Sequence, residues 1–331
     1  MKIIGDPIDR RLLDEWQRDL PICERPFAAI AMAIGTNEDD VVERLEKMRK
    51  AGRVSRIGAT CAPNSVSAST LAAIAVPDKR IDHVAAIISA QEGVNHSYQR
   101  EDTWNLWFVA TGPDRAHVDA TLANIGMLTG LRVLNLPLVR PFNVDLGFRM
   151  SSGKRGRIPA PRRVDLSVMQ EGDRRLLQQL TSGLPIVARP YAALAARLRR
   201  PEAEVTGRIG TLLRAGIITR LGVIVRHRAL GWSSNAMVVW DLPPHRIDTA
   251  GPALAALPGV TLCYERSPVP DVWPYRLYNM IHARSRNEAL EVLDRARALP
   301  EMDGTPHKAL FSTRCFKQTG ALISLKTETP A

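Results

Sequence analysis

Cysteine is scarce in this 331-residue chain and never paired in sequence: Cys23, Cys61, Cys263 and Cys315 lie far apart, with no CxxC spacing. That argues against a zinc knuckle or a disulfide framework and sets a reducing, cytoplasmic location as the expectation. No run approaches the roughly 18 uninterrupted apolar residues that a membrane span needs. The opening MKIIGDPIDRR lacks the apolar stretch of a secretory leader. A membrane is therefore not an expected partner. Aromatic residues make up only 5% of the chain, so any place where they gather is informative. Acids are outnumbered, 34 against 45 Lys plus Arg, which leaves a formal charge of +11. That surplus suits nucleic acid or any other polyanion, and its location has to decide between them. Hydrophobic content of 45% and charged content of 24% exclude wholesale disorder, and the length suggests about two domains.

The chain is a doubled unit. LLDEWQRDLPICERPFAAIA, beginning at Leu12, and LLQQLTSGLPIVARPYAALA, beginning at Leu176, are identical at half of their positions. The same offset aligns Asp9-Arg10-Arg11 with Asp173-Arg174-Arg175, Ala51-Gly52 with Ala215-Gly216, and Arg56 with Arg220. Further on, Gly93-Val94-x-x-x-Tyr98-x-Arg100 matches Gly259-Val260-x-x-x-Tyr264-x-Arg266. Two such matches in the same order define an internal repeat.

Each half divides again. Three apolar stripes of helical period open the first: Ile8, Leu12, Leu13 and Trp16; Phe27, Ile30, Ala31 and Ile34; then Val41, Val42, Leu45 and Met48, entered through Thr36 as N-cap and closed by Gly52. An extended RVSRIGATC follows, so three helices and a hairpin describe a winged helix-turn-helix over residues 1–66. Residues 67–150 alternate strand and helix patterns in the order βαββαβ, a ferredoxin-like split unit. SSGKRGRIPAPRRVD, residues 151–165, reads as an exposed linker, after which 166–230 and 231–331 repeat the two domains. The fold class is α+β, with two tandem units that resemble the Lrp/AsnC regulators. Joined halves should mimic a dimer of simpler units and leave room for a further homodimer.

DNA reading is not expected. The candidate recognition helix, NEDDVVERLEKMRKA, crowds Glu38, Asp39 and Asp40 into the turn that would meet the groove, and its counterpart starts with Glu202 and Glu204. Structural or dimer-forming modules are the better expectation for the winged helices.

Two segments stand out: HSYQREDTWNLWF, from His96, and YERSPVPDVWPYRLYNMIHA, from Tyr264. Each places an Arg beyond a Tyr-x pair, then a turn, then an aromatic-rich strand. Strand alternation sends Trp104, Leu106 and Phe108 to one side and Asn105 and Trp107 to the other. An aromatic wall beside guanidinium groups is what a large planar anion needs.

These segments, with RLGVIVRHRALGW in the second half, resemble the siroheme decarboxylases: the Ahb-type A and B proteins of alternative heme synthesis and the NirD, NirL, NirG and NirH proteins of heme d1 synthesis. The first half is similar to the NirD type and the second to the NirL type. One departure is Arg276, where the family pattern leads us to expect Asn. The resemblance implies an enzyme that removes the acetate carboxyls at C12 and C18 of siroheme, with no added cofactor, no metal site of its own and siroheme as its partner. The many carboxylates of siroheme suit an Arg-rich protein by steering and by bidentate pairing.

Proton delivery to the carbon that loses CO₂ suits histidine. His83, His117, His245 and His307 sit in helix or turn patterns that need no role. His227 lies between Arg226 and Arg228 just past the wing, His96 precedes Arg100 on the hairpin strand, and His282 ends the aromatic strand. His227 is the leading candidate donor, His96 the second, and His282 a neighbour of the ring. Arg100, Arg226, Arg228 and Arg266 are the carboxylate-clamp candidates; Tyr98, Tyr264, Trp104 and Tyr275 would orient the macrocycle. A DNA-binding regulator and a siroheme carrier without chemistry remain the alternatives.

Overall fold

The computed structural model describes residues 5–143 and 163–325, so the expected linker falls outside the described residues except for its last three. The first half runs α1 (Pro7–Glu15), α2 (Pro26–Ile34), α3 (Glu38–Lys50), β1 (Val54–Cys61), β2 (Ala68–Ile74), α4 (Ile81–Ala90), β3 (Val94–Arg100), β4 (Leu106–Gly112), α5 (Arg115–Thr129) and β5 (Val133–Asn143). The second runs α6 (Asp173–Ser182), α7 (Pro190–Leu198), α8 (Glu202–Arg214), β6 (Ile218–Val225), β7 (Ser234–Trp240), α9 (Pro244–Ala256), β8 (Val260–Arg266), β9 (Leu277–Ala283), α10 (Arg286–Arg297) and β10 (His307–Gln318). Three helices and one strand, then βαββαβ, occur twice. Among the described residues no helix is long and apolar enough to cross a membrane.

Local chemistry explains the helix ends, with one correction. Asp6 caps α1 by accepting from the amides of Ile8 and Asp9. The cap of α3 is Asn37, not Thr36: the Asn37 side chain accepts from the Asp40 amide at 2.9 Å. Thr36 is already committed to closing α2, because its amide and that of Gly35 (φ 79°) both donate to the Ala31 carbonyl. Its hydroxyl instead donates to Asp40 Oδ2 at 2.7 Å.

The expected wing hairpin is not formed within either half. β1 pairs antiparallel with β6 of the other half, Val54 to Cys61 against Val225 to Ile218. Gly58 and Gly222 face each other at the middle of this ribbon. A Cβ on Gly58 would lie 2.2 Å from the Leu180 carbonyl oxygen, and one on Gly222 would lie 2.4 Å from the Gln17 backbone. The absent side chains thus let β1 lie directly on α6 and β6 on the backbone just past the end of α1. One apolar core results, in which Leu12, Leu13 and Leu45 of the first half share space with Leu176, Leu177 and Leu212 of the second. Burying this joint surface welds the two winged helices into one body.

The strands of the ferredoxin-like units close into a barrel, in the order β10-β3-β4-β2-β5-β8-β9-β7. β5 pairs with β2 along Val133–Pro137 and then with β8 from Leu138 onward. β10 does the same, pairing with β7 as far as Phe311 and with β3 from Ser312. Each long strand therefore belongs half to its own sheet and half to the other. Helices cover the outer faces, with Leu106, Phe108 and Ala110 beneath α4 and α5, and Leu277 and Ile281 beneath α9 and α10. Inside the barrel lie Leu71, Trp107, Leu136, Met237, Trp273 and Tyr278. Trp104 departs from the expected alternation: it precedes β4, packs against the inner cluster, and accepts at its carbonyl from Trp107 Nε1.

Candidate active site

β3 positions the first set of functional side chains. His96 pairs across to Val109 and Tyr98 to Trp107, so His96, Tyr98 and Arg100 all face the barrel interior. Arg100 is buried, 6% exposed. Its Nη1 donates to the Leu310 carbonyl at 3.1 Å and to Asn235 Oδ1 at 3.2 Å, and its guanidinium stands 5.6 Å from the Tyr98 ring centroid. The repeat uses Arg266 in the same way: it donates to the Leu136 carbonyl at 2.8 Å and lies 4.6 Å from the Tyr264 ring. The two Tyr-x-Arg motifs meet in one interior, where the Tyr98 and Tyr264 hydroxyls both act on the Arg100 charge.

The second half closes the site with histidine. His282 on β9 accepts at Nε2 from Asn235 Nδ2 at 2.7 Å, and its Nδ1 lies 2.7 Å from Thr261 Oγ1. His227 sits on the single turn His227–Leu230 after β6, its ring 5.5 Å from that of His282. Arg228, next to it, donates to the Ser312 carbonyl at 2.7 Å and reaches Tyr98 electrostatically. His96 stacks on Tyr98 at 6.3 Å between centroids. Nine of the eleven expected residues therefore converge, with Arg226 at the exposed rim, where it and Arg228 both act on the Cys315 thiol. Trp104 and Tyr275 lie apart, by Trp273 and the Lys308–Asp102 ion pair; Tyr275 meets Trp273 at 4.8 Å.

The histidines not selected stay out of this cluster. His83 and His245 are exposed, His117 packs on Gly112, and His307 meets Trp240 at 4.8 Å with the rings tilted. Asn235, Thr261 and Arg56 were missed. Asn235 and Thr261 belong to no motif. Arg56 had a signal, since it aligns with Arg220 in the repeat. The two differ in use: Arg220 donates to the carbonyls of Gln17 and Val223, whereas Arg56 acts on His96.

Among the described residues, Arg56, Arg100, Arg228 and Arg266 form no ion pair with a carboxylate, and Nε of Arg56, Arg100 and Arg266 has no hydrogen-bond partner. Elsewhere arginines are neutralised: Arg44 bonds Asp6, Asp9 and Asp40, Arg208 bonds Asp173, and Arg140 bonds Asp248 and Glu265. Burial pushes Arg100 and Arg56 down to about 10, which leaves both cationic at neutral pH. Burial, assisted by Arg56, pushes His96 down to about 4; burial, assisted by Arg100, does the same to His282. A cleft of 220 Å³ opens over Asn235, between Ser233, Ser234 and Ser312, under the Glu101–Arg286 ion pair. Its pseudosymmetric counterpart, 380 Å³, opens over Ser65, Ser67 and Ser69. No group of three or more His, Cys, Asp and Glu among the described residues could hold a metal ion.

The two depressed imidazoles have a consequence for stability. In the unfolded chain they titrate near their ordinary value of 6.5 and in the folded chain near 4. Above pH 6.5 both states are neutral and the contribution is fully present. As pH falls from there toward 4, only the unfolded chain takes up the protons, so stability is lost across that window and levels off below it. Urea midpoints taken from pH 7 to 4 should fall over this range, and His96→Gln together with His282→Gln should flatten the fall. An equal slope in the double variant would assign the loss to other groups.

A tandem pair of AsnC-like units, closed around a cationic and histidine-bearing interior, is the class of protein that this fold and site define. Residues 66–143 and 229–317 match the AsnC-like ligand binding domain, and residues 9–54 and 173–218 match the siroheme decarboxylase NirDL-like HTH domain. Over 320 residues the chain is 57% identical to the siroheme decarboxylase NirDL subunit of Paracoccus pantotrophus, covering 96% of this chain and 98% of that one. The corresponding subunit of Paracoccus denitrificans is 56% identical over 319 residues, at the same coverage. A crystal structure of the siroheme decarboxylase NirDL in complex with an iron-uroporphyrin III analogue superposes with a TM-score of 0.65 at 25% identity, over 95% of this chain and 94% of that one. The chain belongs to the siroheme decarboxylase NirDL family.

Proposed function

We propose that this protein decarboxylates siroheme, removing the acetate carboxyls at C12 and C18 to give 12,18-didecarboxysiroheme on the route to heme d1, without an added cofactor. The observation that carries this reading is the buried Arg100, with the half-buried Arg56, Arg228 and Arg266 around it, none paired with a carboxylate among the described residues and all beside three histidines in one interior. A desolvated cation that the protein leaves unneutralised is a costly arrangement unless a ligand supplies the anion. Arg100, Arg228 and Arg266, with Arg226 at the rim, would hold the peripheral carboxylates. Tyr98 and Tyr264 would orient the ring, and Trp104 and Tyr275, packed on the inner cluster by Trp273, would flank it.

When an acetate carboxylate leaves as CO₂, its C–C bond pair stays on carbon and is taken into the conjugated ring, and a proton then completes the methyl group. His227 is the leading donor, with His96 second and His282 beside them. Before substrate binds, burial, assisted by the neighbouring Arg56 and Arg100, holds His96 and His282 neutral. Incoming carboxylates offset that charge, so the imidazoles gain proton affinity only in the complex.

The repeat bears on how many such centres a chain has. Arg100 and Tyr98 recur as Arg266 and Tyr264, but His96 aligns with Leu262 and His227 with Pro63. Ser69 and Thr111 pair as Asn235 and His282 do, so the second cleft lacks an imidazole there as well. The reading is one proton-delivering centre per chain, with walls from both halves. Arg44 pairs with Asp6, Asp9 and Asp40, Lys47 with Glu43 and Arg49 with Glu46, so most cations of α3 are already neutralised, which supports an enzyme over a regulator. The four cysteines, none in a disulfide, fit a reducing cytoplasm. Anaerobic incubation of the purified protein with siroheme, followed by mass analysis of the extracted ring, tests the proposal. Successive losses of one and two CO₂ are expected; siroheme returned intact would identify a carrier or sensor instead.

A further inference from the structure

The hydrogen bonds around His282 determine where its proton sits. Arg100 can only donate, so the Asn235 atom it meets at 3.2 Å is the carbonyl Oδ1, and the amide orientation is forced. Asn235 Nδ2 must then donate to His282 Nε2, which therefore carries a lone pair. On the other side, the Thr261 hydroxyl gives its one proton to the Met280 carbonyl at 3.1 Å. It can only accept from His282 Nδ1, which therefore carries the hydrogen. Both sides specify the same neutral tautomer, and Nε2 cannot be protonated while Arg100 pins the amide. The groups facing His282 include Arg100 from β3, Asn235 from β7, Thr261 from β8 and His227 from the turn after β6.

We propose that Asn235 is a positioning residue that couples carboxylate capture to proton loading: when a substrate carboxylate engages Arg100, the Asn235 amide is released, turns its Oδ1 to His282, and stabilises a proton taken from water onto Nε2. The imidazolium so formed gives that proton to the carbon that CO₂ has left, or to its neighbour His227, and returns to the neutral tautomer. One proton enters, one C–H bond forms on the electron pair of the broken C–C bond, and no oxidant or reductant is needed. The device keeps His282 uncharged among cations until an anion is present. In the repeat, Ser69 stands where Asn235 does and Thr111 where His282 does, so the second arm has no such relay.

This inference rests on the decarboxylase reading for the destination of the proton, but not for the coupling itself, and the two can be tested separately. The coupling is read by nitrogen NMR of histidine-labelled full-length protein, with and without sirohydrochlorin, the iron-free and diamagnetic ring. In the wild type His282 should be neutral and Nδ1-protonated alone, and should gain proton affinity by at least tenfold with the ring bound. Asn235→Asp should hold a proton on Nε2 at neutral pH even without ligand, since its carboxylate accepts what the amide could not. Asn235→Ser, the residue the repeat already tolerates, should lose most of the ligand-induced gain. Its kcat on siroheme should fall roughly tenfold to a hundredfold, as for other partners that orient a functional imidazole, with KM changed much less. Identical His282 titrations in the wild type and both variants, with and without the ring, would overturn the coupling even if siroheme is decarboxylated. Intact siroheme from a wild-type protein that still shows the coupled titration would overturn the decarboxylase reading and leave the coupling standing.

Discussion

Arg100→Ala is expected to weaken siroheme binding by two orders of magnitude or more while changing the stability of the free protein far less. Truncating one member of a buried, hydrogen-bonded charge pair costs about 2–5 kcal/mol, on the order of thirtyfold to several thousandfold in affinity. The free protein presents a different balance. Arg100 there bonds only neutral acceptors, the Leu310 carbonyl and Asn235 Oδ1, and its Nε has no partner. Removing it gives up those bonds and some packing but also relieves the cost of a desolvated cation, and the two effects oppose each other. Arg100→Lys should rescue little, because a point charge cannot reproduce the planar fork that grips a carboxylate. Absorbance titration with siroheme beside urea unfolding of the free protein separates the outcomes. Unchanged affinity would remove Arg100 from the clamp, and a large loss of stability would make it a residue of the fold.

Much of the architecture is legible in local pattern. The apolar period of Leu12, Leu13 and Trp16, repeated at Leu176 and Leu177, marks helices wherever they fold, because one face must be buried. The two Tyr-x-Arg motifs, which the fold brings into one interior, are likewise visible in the sequence as a repeat. What local pattern does not carry is partnership. The period-two pattern of Val54–Cys61 fits a strand equally well against its own half or against β6, and only the tertiary fit of Gly58 on Leu180 selects the latter. The same holds for the seams β3–β10 and β5–β8, which bring Ser312 to Arg100 and Arg266 to Leu138. Asn235 and Thr261 are illegible for a related reason. A lone polar residue in a strand such as SNAMVVW has no spacing to signal it, and its meaning comes from the residue across the ladder.

Fusion gives physical sense to the way the repeat has been kept and broken. In a dimer of identical units every side chain appears twice, so two-fold symmetry is imposed on binding and chemistry alike. In one chain the halves are free to differ. The groups retained in both, Arg100 with Arg266 and Tyr98 with Tyr264, are those suited to a ligand with carboxylates all round its rim. The groups present once, His96, His227 and His282, are those suited to moving a proton at a single position. On the proposed reading, the repeat is kept where carboxylates around the rim are gripped and broken where one C–C bond at a time is cleaved.

That division sets the expectation for His227→Ala: kcat for decarboxylation falls by at least about a hundredfold, the lower end for a group that transfers a proton in the transition state. Its location makes the substitution clean. His227 opens a single 3-10 turn beyond the end of β6, so no barrel strand runs through it, and the backbone bond from the Trp232 amide to the His227 carbonyl is kept whatever the side chain. The flanking Arg228 is held by the Ser312 carbonyl and should keep its place, so binding should change little. The signature is therefore a loss in kcat with KM nearly preserved, opposite in kind to that of Arg100→Ala. His83→Ala, an exposed position on α4, serves as the control and should match the wild type. Single-turnover decarboxylation of siroheme, followed by mass analysis at timed intervals, measures the step directly. Turnover near that of the wild type in a folded His227→Ala protein would remove His227 from the chemistry and shift the donor role to His282 or His96, the two imidazoles that burial and the neighbouring arginines keep uncharged.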